Sequence, residues 1–457
     1  MGGGAGTLGR MKGFHAERLV YYGAALLLLA SAALWNGYPL LYPDSASYIQ
    51  SGAILETPVD RPITYGLFLR VVTLNFTTLW SAVLVQCLIA AYAVRRLCVS
   101  FSLPGLCAYV ALLAASCAGL PLLTGQIITD VFSSVAILAS FILFKESDRS
   151  VKEHWALWAL LLIAYAMHGS HLPIMAGMLG LYGLVTWFGA QEQRRGRRRV
   201  LVGFAVVMLI GYVPMNISAV KTGDQFYAAH LAETGILQAY LDKNCDRVEL
   251  KMCARKDSIP VSAEHFMWHP AGVAAMYPGR MEAQREYDVV ISGVLHDPEL
   301  RWRLVQSTLA MWWSQLQHNA PGEGLSAFGP GTNVHTKMES YLPAELSDME
   351  RSRQSSDAMF DRSLHRLAHL ASICLMACLV LALPLAFFAK QRMTDGALWW
   401  VVVAGCVLLS ALVNRGFVLV ANRFVSKTVW LTPIAVLLIL YGSLQGRSYD
   451  AALRQEP

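Results

Sequence analysis

Two short polar stretches near the N-terminus contain the residue types that proton transfer and phosphate binding require. The first, residues 42–51, reads YPDSASYIQS and includes Asp44; the second, residues 61–70, reads RPITYGLFLR and begins with Arg61. The Asp44 carboxylate could take a proton from a hydroxyl group, and an arginine could bind a phosphate through paired hydrogen bonds. We therefore predict that the loop over residues 40–78 is catalytic. The alternative is that Asp44 only caps a short helix.

The chain that must position these residues is strongly apolar. Hydrophobic residues make up 55% of it and charged residues only 15%, so most of the chain cannot face water. A helix must cross about 30 Å of hydrocarbon, so runs of about 18 or more apolar residues indicate membrane spans. We predict an all-α polytopic membrane protein with about ten transmembrane helices. The predicted spans are 17–39, 79–97, 103–123, 127–144, 155–169, 172–189, 200–218, 367–389, 397–414 and 428–446.

The basic residues indicate how the chain crosses the membrane. Cytoplasmic loops are enriched in Lys and Arg, and the loops richest in them, including the run at 194–199, fall on the side of the N-terminus. We interpret this run as contact with anionic lipid headgroups. The opposite side holds the loop 40–78 and a long hydrophilic segment, 219–366. We predict a multi-pass protein of the bacterial inner membrane whose active site faces the periplasm.

These boundaries divide the chain into three parts. Residues 1–218 would form an N-terminal transmembrane module of about seven helices, and residues 367–457 a C-terminal module of about three. Residues 219–366 carry mixed charges and are interrupted by Pro and Gly, which is typical of a mainly helical folded insertion. Within it, Cys245 and Cys253 favour a local disulfide in an oxidising compartment; two free thiols are the alternative.

Further polar residues fall at the outer ends of the predicted spans. Asp130 is about one turn into the fourth span, His168 and His171 flank the turn after the fifth, and Arg415 and Arg423 frame the link between the ninth and tenth. Ionisable groups at such depths usually face a bundle interior or a wet cavity, so we predict one substrate-binding cluster. Each residue also has a structural alternative. Asp130 could form an ion pair that only stabilises the fold, and the histidines could cap helix ends. The arginines could simply extend their charged groups to the membrane interface.

A carboxylate beside arginines at the outer face fits transfer from a lipid-linked phosphosugar. That reaction needs a general base and guanidinium donors for an anionic leaving group. The sequence has no Walker A loop and no GxGxxG motif between a strand and a helix. We expect no cofactor, no required metal and no nucleic acid partner. The expected partners are membrane lipid, a lipid-linked phosphosugar donor, and a glycan, lipid or protein acceptor.

These residues carry a resemblance to a known family. The two N-terminal stretches, together with Asn422-Arg423-Phe424 and Pro433 in the last predicted span, resemble the GT-C superfamily of integral-membrane glycosyltransferases. Lipid A aminoarabinose transferases and protein O-mannosyltransferases are members. The resemblance implies a GT-C-like bundle with a juxtamembrane helix in the first outer loop. It also implies an inverting transferase that uses a polyprenyl-phosphate sugar.

The resemblance also implies a role for each matching residue. Asp44 would deprotonate the acceptor, Asp130 would be the second acidic residue of the site, and Arg423 would contact the donor phosphate. The residues that would shape the sugar and phosphate pocket are Tyr48, Arg61 and Tyr65.

Two other classes of protein remain as alternatives. A lipid or polysaccharide transporter or flippase would also be a bundle with charges inside the membrane, but it is expected to show repeat symmetry between its halves, and we find none. A membrane O-acyltransferase could use His168 as its base. The arginines at the outer face, Arg415 and Arg423, would then have no obvious function.

Overall fold

The computed structural model describes residues 4–58, 61–145, 150–188, 191–219, 223–269, 272–277, 280–356, 358, 373, 376–377, 380, 394–417 and 423–441. In this part of the chain every regular element is a helix. A single isolated bridge of β type joins Leu40 to Gln126 there.

The helices are numbered here in chain order. Those of the first half are α1 (Gly4–Leu29), α2 (Ser31–Asn36), α3 (Ser45–Ile54), α4 (Thr64–Val72), α5 (Trp80–Ser100), α6 (Gly105–Cys117), α7 (Leu120–Thr124), α8 (Asp130–Lys145), α9 (Val151–Ala166), α10 (His171–Phe188) and α11 (Gln191–Ala219). Those of the second half are α12 (Gly223–Glu233), α13 (Ile236–Asn244), α14 (Ala263–Trp268), α15 (Arg280–His296), α16 (Pro298–Gln317), α17 (Asn333–Tyr341), α18 (Pro343–Glu350), α19 (Thr394–Phe417) and α20 (Arg423–Val429). Two 3₁₀ helices, Lys251–Ser258 and Val273–Met276, flank α14, and residues 432–441 are again helical.

Four helices in the described residues are long and apolar enough to cross a membrane. They are Trp80–Ser100, His171–Phe188, Asp395–Val413 and Arg423–Tyr441. These helices support the prediction of an all-helical membrane protein. Of the other predicted spans, that at 367–389 lies almost entirely outside the described residues, and α6 is apolar but shorter. The count of about ten spans and the GT-C arrangement stay predictions.

Helix α8 lies at the centre of the bundle. Every residue from Asp130 to Phe144 is buried, because the helix is apolar on all sides and packs against α5, α9 and α20. Asp130 is its first residue. A carboxylate is favourable there, since the positive end of the helix dipole lies at the N-terminus.

The first outer loop folds into α3 and α4, which pack against each other at two glycines. A Cβ on Gly52 would lie 2.3 Å from the Gly66 carbonyl oxygen, and one on Gly66 would lie 2.2 Å from Ser51 Oγ, so larger residues would force the helices apart. Arg70 of α4 donates hydrogen bonds to the carbonyl oxygens of Gly52 (2.9 Å) and Ala53 (3.0 Å) near the end of α3. This close packing fixes the connection that carries Arg61.

The hydrophilic segment predicted as one insertion has two packing environments. Buried side chains between Ala228 and Leu304 form a core of their own, and a disulfide joins Cys245 to Cys253 beside it. Helices α17 and α18 instead place Val334 and Met349 in the main core of the bundle, and α17 packs on α3. The later part of this segment therefore supports the first outer loop directly.

Candidate functional site

Two arginines and two carboxylates form a continuous chain of ion pairs next to the first outer loop. Arg423 donates from Nη1 to Asp44 Oδ2 (2.8 Å), from Nε to Asp130 Oδ2 (2.7 Å) and from Nη2 to Asp130 Oδ1 (3.3 Å). Arg61 Nη1 lies 2.9 Å from the other Asp44 oxygen, Oδ1. The Asp130 side chain is 2% exposed and that of Arg423 11%, so both ions are largely withdrawn from water. Paired contacts of one guanidinium with a carboxylate are among the strongest ionic hydrogen bonds.

Three distant segments supply this network. Asp44 precedes α3, Asp130 begins α8 and Arg423 begins α20. Asp44 stands at the capping position of α3 but makes no capping hydrogen bond with its side chain. The alternative that Asp44 only caps a helix is therefore wrong: its carboxylate is turned towards the arginines.

Tyrosine rings line both arginines. The centre of the Tyr42 ring lies 4.3 Å from the Arg423 guanidinium carbon, and that of Tyr48 lies 5.2 Å from the corresponding atom of Arg61. Tyr65 packs edge-on against Tyr48 at 4.8 Å, and its hydroxyl donates to Gln86 Oε1 (2.8 Å) in the bundle core. Tyr48 is thus in the site, whereas Tyr65 packs between Tyr48 and the bundle core.

A loop between α16 and α17 covers the network. Glu323 accepts a hydrogen bond from the backbone N–H of Arg423 (3.2 Å). Gly324 lies over Tyr42 with φ +78°, and a Cβ there would be 2.0 Å from the tyrosine ring. Only glycine combines this backbone conformation with so close an approach. Tyr42 and Glu323 were not predicted as site residues from the sequence; the Pro-Gly-Glu-Gly stretch at 321–324 was the available signal for this loop.

The arginines decide the charge state of Asp44. Burial by itself would raise the pKa of this carboxyl, but Arg61 and Arg423 outweigh burial and hold the pKa well below its usual range. Burial, opposed by Arg61, raises the pKa of Tyr48 to about 12. Asp44 is therefore ionised and Tyr48 protonated at neutral pH.

The lowered pKa of Asp44 makes the stability of the protein depend on pH. Because the pKa is lower in the folded than in the unfolded chain, ionised Asp44 stabilises the fold above about pH 4, and this contribution is lost as the pH falls further. We expect the difference in melting temperature between wild type and Asp44→Asn to be constant from pH 7 to 5 and to shrink below pH 4. A difference that grows on acidification would contradict the ion-paired state.

The two histidines lie in a second polar cluster, beside the network. His171 Nδ1 must donate to the Ala164 carbonyl oxygen (2.8 Å), so Nε2 accepts from the Ser133 hydroxyl (2.6 Å) in the neutral ring. His168 Nδ1 lies 2.8 Å from Ser170 Oγ. His171, which is 2% exposed, thus joins α8 to the start of α10, while His168 belongs to the turn itself.

Lys427 is the residue that the sequence analysis missed in this second cluster. It follows Arg423 by one helical turn, is 1% exposed and donates to Ser170 Oγ (3.2 Å). Among the described residues its ammonium forms no ion pair with a carboxylate. The signal was the four-residue spacing from Arg423, which places both cations on one helix face.

Three predicted residues are not part of the described network. The backbone of Arg415 is part of α19, but its side chain is outside the described part of the structure. Cys245 and Cys253 belong to the separate core of the hydrophilic segment. No group of three His, Cys, Asp or Glu side chains among the described residues is arranged to hold a metal ion.

Comparisons with known proteins add no identification. No family model, no curated protein and no solved structure matches this chain.

Proposed function

We propose that the protein is an inverting membrane glycosyltransferase that moves a sugar from a polyprenyl-phosphate donor to a hydroxyl group of a glycan, lipid or protein. The proposal includes a GT-C-like bundle of about ten spans in a bacterial inner membrane, with the site facing the periplasm. The observation that carries it is the Asp44–Arg423–Asp130 network. An ionised carboxylate stands there beside guanidinium groups, at the end of several apolar helices.

Asp44 is the base in this mechanism. It takes the proton of the acceptor hydroxyl while the acceptor oxygen forms a bond to the anomeric carbon. The bond from that carbon to the donor phosphate oxygen breaks, and polyprenyl phosphate leaves with the electron pair. A single displacement of this kind inverts the configuration at the anomeric carbon.

Asp44 must first exchange one of its arginine partners for the acceptor. Arg423 is the partner that can leave Asp44 and still remain in the site, because it also pairs with Asp130. The donor phosphate would attract it. Moving a positive charge away from Asp44 increases its affinity for a proton. Donor binding would thus make Asp44 a better base, and Asp130 acts as a positioning residue that keeps Arg423 in the site.

Lys427 supplies the second positive charge for the donor phosphate. Burying an ammonium that forms no ion pair among the described residues is costly, so a phosphate bound beside Lys427 would be favoured. His168 and Ser170 offer further polar atoms at the same place. A phosphate between Lys427 and Arg423 would lie on the helix face that both residues share.

We expect Lys427→Met to weaken the binding of a short-chain polyprenyl phosphate by about tenfold or more, because hydrogen bonds to charged groups contribute about 1.5–3 kcal/mol. Lys145→Met is the matched control, since Lys145 is also largely buried but lies at the other end of α8 beside Asp395. Titration of the purified protein in detergent, followed by native mass spectrometry, measures both dissociation constants. Equal values for the two variants would remove Lys427 from the donor site.

The function itself is tested by the profile of envelope glycans and glycolipids in a deletion strain. We expect mass spectrometry to show the loss of one sugar, restored by the wild-type gene. An unchanged sugar profile with a defect in lipid or polymer export would favour the transporter instead.

A further inference from the structure

Helix α16 belongs to the hydrophilic segment, but its second half packs against a candidate membrane span. Trp312 donates from Nε1 to the Leu408 carbonyl oxygen of α19 (3.1 Å). Leu316 is buried in a cluster with Val407 and Ala411 of the same helix. Leu408 lies within the candidate span Asp395–Val413, about 7 Å inside the end at Val413. The end of α16 therefore lies at the depth of that span.

The distribution of charge along α16 matches this depth. Its charged side chains Glu299, Arg301 and Arg303 lie in its first two turns, and the stretch 304–317 has none. The start of the helix packs through Leu300 and Leu304 on the separate core of the hydrophilic segment. The uncharged stretch, about 21 Å long, is the part that reaches α19. Charged groups would be costly at that depth.

One side of this helix carries exposed apolar side chains. Trp302, Val305, Leu309 and Trp313 lie within a narrow arc of the helix, and they are 61%, 43%, 53% and 64% exposed. Leu408 of α19, beside Trp312, is itself 41% exposed, so the apolar surface continues onto the span. Tryptophan is enriched where proteins cross the boundary between water and lipid.

We propose that α16 enters the bilayer leaflet around the C-terminal end of α19, with Trp302 at the level of the lipid headgroups and Val305, Leu309 and Trp313 in contact with lipid acyl chains. Depth in the membrane increases from Trp302 to Trp313. The helix thus anchors the separate core of the hydrophilic segment to the membrane. This inference does not depend on the proposed function.

Spin labels test the proposal in the full-length protein in lipid nanodiscs. All cysteines except the disulfide pair are replaced by alanine, and single labels are placed by Val305→Cys, Leu309→Cys and Trp313→Cys. The matched control is Val261→Cys, because Val261 is an equally apolar residue of the same segment, 67% exposed. Power saturation compares collisions of each label with oxygen, which concentrates in lipid, and with a water-soluble nickel chelate.

We expect oxygen collisions to exceed nickel collisions several-fold at positions 309 and 313, less at 305, and the reverse at 261. Values at 309 and 313 equal to those at 261 would overturn the proposal. Dipolar broadening between labels at 309 would also overturn it, since a second copy of the chain would then cover this face.

A second measurement avoids the cysteine replacements. In bilayers of dibrominated lipid, Trp313→Phe should remove a quenched component of the tryptophan fluorescence, whereas Trp268→Phe, on α14, should remove an unquenched one. Loss of an unquenched component in Trp313→Phe would contradict lipid contact at Trp313.

Discussion

Asp44→Asn is expected to lower the rate of sugar transfer by about 10²–10⁴-fold, the usual contribution of a positioned general base. The amide cannot take the proton of the acceptor hydroxyl at neutral pH. It keeps the size of the side chain and can still accept a hydrogen bond from Arg61 or Arg423. The rate is measured with purified protein and a synthetic polyprenyl-phosphate sugar, after the deletion strain has identified the sugar.

The control for this variant is another aspartate changed in the same way. Asp348→Asn removes a carboxylate that is 53% exposed and pairs with Arg351 on the surface, so the rate should remain that of wild type. Because the Asp44→Asn substitution also weakens two ion pairs, the amount of folded protein must be compared by size-exclusion chromatography. Full activity of folded Asp44→Asn would show that Asp44 is structural and that another group takes the proton.

Arg423→Met is expected to destabilise the protein by about 3–5 kcal/mol, because it leaves buried carboxylates without their partner. Asp130 would be affected most, since its side chain is 2% exposed and both of its oxygens accept from Arg423. Denaturant unfolding in detergent, with tryptophan fluorescence as the signal, measures the loss. Arg423→Lys should recover only part of it, because an ammonium cannot reproduce the three hydrogen bonds of the guanidinium.

Two further variants separate the buried network from an ordinary ion pair. Arg351→Met removes an arginine that is 75% exposed, and surface pairs of this kind contribute about 0–1 kcal/mol. The double variant Arg423→Met with Asp130→Asn should be more stable than Arg423→Met alone, because it removes a buried charge that has lost its partner. If Arg423→Met were as stable as Arg351→Met, the ion pairs of Arg423 would contribute no more than a surface pair.

The class of the protein follows from its sequence because burial in lipid leaves a strong signal along the chain. Long apolar runs such as that at 80–100 are helices in the structure, since a backbone in hydrocarbon must satisfy its own hydrogen bonds. Polar residues at the ends of such runs are conspicuous for the same reason, and Asp44, Asp130 and Arg423 could be selected from their positions alone. The pairing of Cys245 with Cys253 depends on residues close in sequence, which also made it accessible.

Which groups pair was decided only by tertiary structure. Asp44 and Arg423 are separated by 379 residues, and no local pattern encodes that one guanidinium would hold two carboxylates. Lys427 was not selected from the sequence; the packing of α20 buries it beside Ser170.

The hydrophilic segment is the part that sequence reasoning described least well. Its polarity suggested one unit outside the membrane, but α17 packs in the bundle core and α16 lies along a span. Composition averaged over 219–366 hides the uncharged stretch at 304–317. The sequence by itself determined that the chain is a helical membrane protein with ionisable residues near the ends of its spans, because burial and helical period are local properties. Tertiary structure alone decided which of those residues meet, because that depends on contacts between segments far apart in the chain.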